Sequence, residues 1–150
     1  MPAFSLSVLL RALIVWLAVI ASESLNGALR RVVLNPDIDF ALRQGSVVVG
    51  AVMIFVITWF FLDWIRIRTA RGALAMGALW VALTFAFELA LGRLTGLGWA
   101  RILADYDLIH GGLMPLGLLA MGLTPWAVRR LKAGRPGRLR PEDRDLRGTP

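Results

Sequence analysis

The chain contains no cysteine. That single absence removes disulfide bridges, thiolate metal sites and thiol nucleophiles, while leaving the compartment open. Histidine occurs once, at His110. Asp105, Asp107, His110 and Glu88 are the available metal ligands, and one imidazole with carboxylates is a poor transition-metal set. The stretch DYDLIH matches no metal-ligand spacing, so neither a metal nor a cofactor is expected. Lysine also occurs once, at Lys132 among 17 basic residues, and the arginine richness carries no chemical reading. No segment repeats. Polar sequence is scarce as well: 57% of the 150 residues are hydrophobic and 18% charged. Soluble domains are about 45–50% apolar, and too little polar sequence remains here to cover a soluble core.

The apolar residues fall in four blocks, each about as long as the roughly 20 residues that cross a bilayer. They predict helices over about 6–30, 45–64, 72–91 and 108–128. Uniform hydrophobicity decides these assignments more than periodicity, because membrane helices can be apolar all round. NPDID (35–39) reads as a helix start, with Asn35 as N-cap and Pro36 at the first helical position. GRLTGLG (92–98) ends the third helix, and WARILADY (99–106) predicts a short interfacial turn. The segment VIA before Ser22 has the small residues of a cleavage site, but no basic residue precedes Arg11, so the first helix is read as uncleaved. The expected fold class is all-α: an integral membrane four-helix bundle over 1–128, followed by a basic disordered tail over 129–150.

Orientation follows from the loop arginines. RIRTAR supplies Arg66, Arg68 and Arg71, and eight basic residues lie between Arg129 and Arg147. The other two loops carry Arg30, Arg31, Arg43, Arg93 and Arg101, diluted by aspartates. Both termini are therefore expected in the cytoplasm.

Helix length then fixes the depth of the acids. Arg11 and Glu23 are 12 residues apart, about 18 Å along a helix, against a hydrocarbon layer of about 30 Å. Arg71 to Glu88 spans 17 residues, about 25 Å. With Arg11 snorkelling toward the cytoplasm, both acids fall beneath the outer surface at similar depth. A charge facing lipid costs about 2.5–3.5 kcal/mol at the bilayer centre, so such residues turn inward and pair. Glu23, Asn26, Gly27 and Arg30 share one helix face. Asp107 and His110 lie near the outer end of helix four, where Pro115 frees the Gly111 carbonyl. The candidate ligand-binding layer is Glu23, Asn26, Arg30, Arg43, Gln44, Glu88, Arg93, Asp107 and His110.

Two readings of this layer stand side by side: a pocket for a small polar or ionic ligand, or a structural network locking the helix ends. In the pocket, Glu23 and Glu88 hold positive charge or protons, the arginines neutralise them or meet an anion, and His110 tunes the site with pH. A membrane enzyme ranks third, because neither a Ser–His nor a paired-carboxylate spacing is present. Elsewhere, Asp63 and Arg66 read as a terminal ion pair, with Trp59 and Trp64 as belt anchors. Ala78, Ala82, Ala86 and Ala90 form a small-residue stripe. It predicts a helix seam, within the chain or with a second copy or a partner helix. The tail is interrupted by Glu142, Asp143 and Asp145, and no aromatic follows Trp126. It points to anionic lipid headgroups rather than nucleic acid.

The spacing ESLNGALR…ALRQ…FELALGRL…W…ADYDLIHGG…P resembles a pattern of uncharacterised small bacterial four-helix inner-membrane proteins, over about residues 20–126. The resemblance implies a multi-pass architecture in the bacterial inner membrane and no chemistry. Small multidrug transporters are similar in size, but their membrane glutamate lies early in the first helix, whereas Glu23 lies late. Microsomal glutathione transferases are similar in size and basic charge, but their Arg/Asn/Glu helix pattern is absent.

Overall fold

In the computed structural model, which describes residues 5–33 and 40–134, every regular element is helical. Side chains at 30–33, 40–44 and 46 lie outside that description. The described residues form α1 (Leu6–Val33), α2 (Phe40–Ile65), α3 (Ala70–Leu94), α4 (Trp99–Ala104) and α5 (Met114–Ala133). The proposed cap at Asn35 and the segment 135–150 fall outside the described residues.

Three of the helices are long and apolar enough to cross a membrane: Leu6–Leu29, Val47–Ile65 and Ala70–Leu94. Only 22–28% of the most apolar stretch of each is buried within the chain. Leu10, Ile14 and Leu17 of α1, Val52, Val56 and Phe60 of α2 and Leu74 and Phe85 of α3 point outward. Monomeric soluble proteins rarely expose contiguous apolar surface on this scale.

Local chemistry sets the helix ends. Thr69 caps α3 by accepting a hydrogen bond from Gly72 N–H at 3.0 Å, as an N-cap hydroxyl does. α3 stops where the Thr95 hydroxyl and N–H both turn back onto the Leu91 carbonyl. The end of α2 is less ordinary. Arg66 takes φ +69°, and its N–H bonds to the Leu62 and Asp63 carbonyls, so a non-glycine residue occupies the left-handed C-terminal position.

The fourth long helix departs from the sequence expectation. It begins at Met114 rather than at 108, and it continues through Ala133. Residues 107–113 form turns instead, because Asp107 Oδ1 accepts from Ile109 and His110 N–H and its carbonyl accepts from Gly112 N–H. Pro115 consequently stands in the first turn of α5, where its missing N–H costs nothing, and does not break a helix. The interior proline is Pro125, fully buried, one residue after a Thr124 whose hydroxyl bonds the Ala120 carbonyl at 2.7 Å. Residues 129–133, assigned by sequence to the tail, are helical.

α3 packs most extensively on α5, α2 on α5 and α1 on α2, while α1 and α3 meet along a shorter line. The α3–α5 seam depends on glycine: a Cβ on Gly77 would lie 1.9 Å from the Gly122 carbonyl oxygen. The stripe of Ala78, Ala82, Ala86 and Ala90 is exposed and is not this seam. α1 meets α3 through two tryptophans. The fully buried Trp80 donates from Nε1 to the Ala12 carbonyl at 3.0 Å. Trp16 donates to the Thr84 hydroxyl at 3.0 Å, and that hydroxyl reaches Met121 Sδ at 3.2 Å. Val15, Val19, Ile54, Met76, Met121 and Val128 fill the core around them.

These contacts give each helix a direction. The pairs Ala12–Trp80 and Trp16–Thr84 set α1 and α3 parallel with one constant offset. Arg11 to Trp64 sets α1 against α2, and Lys132 to Asp63 sets α5 alongside α2. One end of the molecule therefore gathers Arg11, the α2–α3 loop and the last turns of α5. The opposite end gathers the last turns of α1 and α3, α4 and the 105–113 turns.

Candidate functional site

The offset between α1 and α3 places Glu88 level with Ile20 and Glu23 level with Leu91. The two glutamates thus lie within about one helical turn of each other in height, since each residue rises about 1.5 Å. The register delivers the shared level that the length argument requires.

Glu23 is half-buried on α1 and packs against α2 at Gly50. A Cβ at position 50 would sit 2.6 Å from Glu23 Oε2. Glycine there opens the notch that the carboxylate fills. Glu23 Oε1 is buried and has no hydrogen-bond partner among the described residues. The expected Asn26 contact does not supply one, although Asn26 lies half-buried one turn away. A carboxylate oxygen removed from water without a donor is costly.

Glu88 continues the stripe of Gly77, Val81 and Thr84 that faces α5. It lies one turn beyond Thr84, where α5 begins and the preceding turns close over the bundle. Tyr106 sits there, its ring edge-on to Phe85 at 5.5 Å and its hydroxyl buried without a partner among the described residues. Burial holds the Tyr106 phenol above its usual range, and the negative charges of Glu88 and Asp105 add to the effect. Tyr106 was not among the sequence candidates; its place beside Glu88 follows from tertiary structure alone.

The remaining candidates divide. Asp107 and His110 are joined, Nδ1 to Oδ2 at 2.6 Å, but the His110 side chain is 81% exposed. The hydrogen bond from the His110 side chain, against an opposing desolvation and helped by the backbone N–H groups of His110 and Ile109, holds the Asp107 carboxyl below the usual range. This pair shapes a turn at the surface. Arg93, in the last turn of α3, donates to the Leu97 carbonyl at 3.0 Å and lies 5.1 Å from the Trp99 ring. Arg101 pairs with Asp105 at 2.9 Å. Arg30, Arg43 and Gln44 are placed on α1 and α2 by their backbone, and their side chains lie outside the described residues.

Two open grooves mark the surface, of about 430 Å³ beside Val47, Ala51 and Phe55, and about 450 Å³ beside Leu74, Ala78 and Leu119. Both are apolar, and neither includes a residue of the polar layer. Among the described residues, no group of three or more Asp, Glu or His converges as a metal site would require.

At the other end, Asp63 pairs with Lys132 and not with Arg66, as the sequence spacing suggested. Arg66 has a left-handed backbone there and forms no ion pair with Asp63. Comparison with protein families, with curated proteins and with solved structures finds no match to this chain.

Proposed function

We propose that the chain is a multi-pass protein of a bacterial inner membrane, a four-helix bundle with both termini cytoplasmic. Its outer polar layer binds or passes a small polar or ionic ligand. The three apolar helices and their outward-facing leucines, valines and phenylalanines support the membrane setting. The observation that carries the ligand reading is Glu23 Oε1, buried against α2 with no donor among the described residues. A small cation or a proton supplies what that oxygen lacks. Glu88 contributes a second negative charge at the same level, and Tyr106 a hydroxyl with spare hydrogen-bonding capacity. Arg30, near the end of α1, and Arg43, near the start of α2, set the counter-charge. Asp107 and His110 act as the rim.

The test uses the full-length protein in lipid nanodiscs and a hydrophobic carbodiimide, which attacks carboxyl groups shielded from water. Adducts are located by peptide mass spectrometry with and without sodium, calcium or tetraethylammonium. Glu23 is expected to label, and at least one cation to slow it. Labelling at one rate under all conditions defeats the ligand reading.

A structural or assembly role is the second reading. It draws on the pairs Asp107–His110 and Arg101–Asp105, each closed within four residues, and on the exposed alanine stripe as a docking face. Glu23→Asp and Glu88→Gln separate the two. Equal loss of folded protein in both variants assigns a structural network; intact folding with lost cation protection assigns a pocket.

A further inference from the structure

The end of the molecule opposite Glu23 carries seven basic side chains among the described residues: Arg11, Arg66, Arg68, Arg71, Arg129, Arg130 and Lys132. Asp63 is the one acid described there, and Lys132 already holds it. Three of these cations lie over tryptophan faces: Arg11 over Trp64 at 5.3 Å, Arg130 over Trp126 at 5.2 Å and Lys132 over Trp59 at 5.2 Å. Tryptophan bodies with cationic tips fit the boundary between hydrocarbon and headgroups. Beyond them, Arg66 and Arg68 are exposed on the α2–α3 loop and Arg71 in the first turn of α3, and Arg129 pins that loop to α5 through the Arg68 carbonyl. Exposed apolar side chains, Phe60, Phe61 and Leu131, lie immediately beneath.

We propose that this end is a collar for anionic phospholipid, in which Arg66, Arg68, Arg71 and Arg130 hold headgroup phosphates while the acyl chains lie on the apolar surface below. The proposal rests on the membrane reading above and moves the lipid contact from the C-terminal tail to the folded end. The continuity of arginine, tryptophan and apolar surface argues for a phosphate tethered to hydrocarbon. A solvent-facing nucleic-acid groove calls for aromatics free to stack on bases, whereas here three of the tryptophans are covered by cations. Guanidinium groups also suit phosphate geometry.

The experiment reconstitutes the full chain in equal parts phosphatidylcholine and phosphatidylglycerol, extracts it in mild detergent and counts retained lipids by native mass spectrometry. Phosphatidylglycerol is expected to be enriched. The triple variant Arg66→Gln/Arg68→Gln/Arg71→Gln should lose about fivefold in enrichment for each arginine removed. The corresponding lysine variant, which preserves charge and controls for folding, should keep most of it. A tail variant, Arg138→Gln/Arg140→Gln/Arg144→Gln/Arg147→Gln, should retain wild-type enrichment. The proposal is overturned if the loop glutamine variant matches wild type, or if the tail variant loses the enrichment. It is also overturned if inorganic phosphate raises the melting temperature as much as phosphatidylglycerol does, which marks a free-phosphate site. Release of the protein from membranes by alkaline carbonate defeats the membrane reading itself, whereas retention without lipid preference defeats only the collar.

Discussion

The two ends of the molecule handle charge differently. At the arginine-rich end, polar side chains reach across the bundle: Arg11 to the Trp64 carbonyl, Arg129 to the Arg68 carbonyl, Lys132 to Asp63. At the glutamate end, Arg93, Arg101 and Asp107 bind within four residues of themselves, and Glu23 Oε1 binds nothing among the described residues. Cross-helix bonds fix one element against another, whereas local bonds only shape the segment that contains them. Among the described residues, one end is thereby fastened between helices, while at the other the bonds of Arg93, Arg101 and Asp107 stay within single segments.

Substitutions can break or sharpen this contrast. The largest effect is expected at the seam both ends share. Gly77→Leu drives a side chain into the Gly122 backbone and should cost at least about 3 kcal/mol, seen as a fall in unfolding free energy in nanodiscs. Next, Arg129→Ala removes charge-assisted bonds to the Arg68 carbonyl and should cost about 2 kcal/mol. Arg101→Ala at the opposite end, where the pair is exposed, should cost under about 0.5 kcal/mol. Equal costs for the two arginines erase the distinction between the ends. Gly50→Ala is smaller in stability, within about 1 kcal/mol, because glycine-to-alanine helix gain offsets the crowding. It nevertheless displaces the flexible Glu23 carboxylate, so carbodiimide labelling of Glu23 should change rate.

The smallest effect is a pH effect. Asp107 is held below its ordinary range, first by the His110 side chain and also by backbone N–H groups. Its contribution to the turn is therefore present above the ordinary carboxylate range and lost as pH falls through the depressed value. Amide exchange at Ile109 and His110 should accelerate across that acidic window, and Asp107→Asn should remove the pH dependence. An unchanged profile in Asp107→Asn shows that another group controls the turn.

The first three helices were legible because long uninterrupted apolar runs leave few alternatives, and GRLTGLG marked the end of α3; its Thr69 cap, which starts the helix at Ala70, was not anticipated. Nor was the start of α5. Leu108 and Ile109 extend the apolar run, yet Asp107 offers their neighbourhood a competing set of side-chain-to-backbone bonds. Sequence proximity likewise nominated Arg66 for Asp63, whereas the partner, Lys132, stands on a different helix. The alanine stripe is not the α3–α5 seam for a geometric reason. Spacing four advances about 40° past a full turn at each step, so Ala78 to Ala90 drifts around α3 away from α5. Gly77 meets Gly122 instead, because backbone contact needs no Cβ at all. For the site, helix length led to a common level for Glu23 and Glu88, and the α1–α3 register places them within about one turn of each other. Gly50 and Tyr106, which give those glutamates their surroundings, are brought near by packing that no local pattern encodes.

Arg68 is made 61 residues before the guanidinium that clasps its carbonyl. A polypeptide emerging from its N terminus leaves that oxygen to water until the final long helix arrives. The turn between α2 and α3 therefore lacks its latch until α5 has been made, so closing that turn depends on a contact distant in the chain.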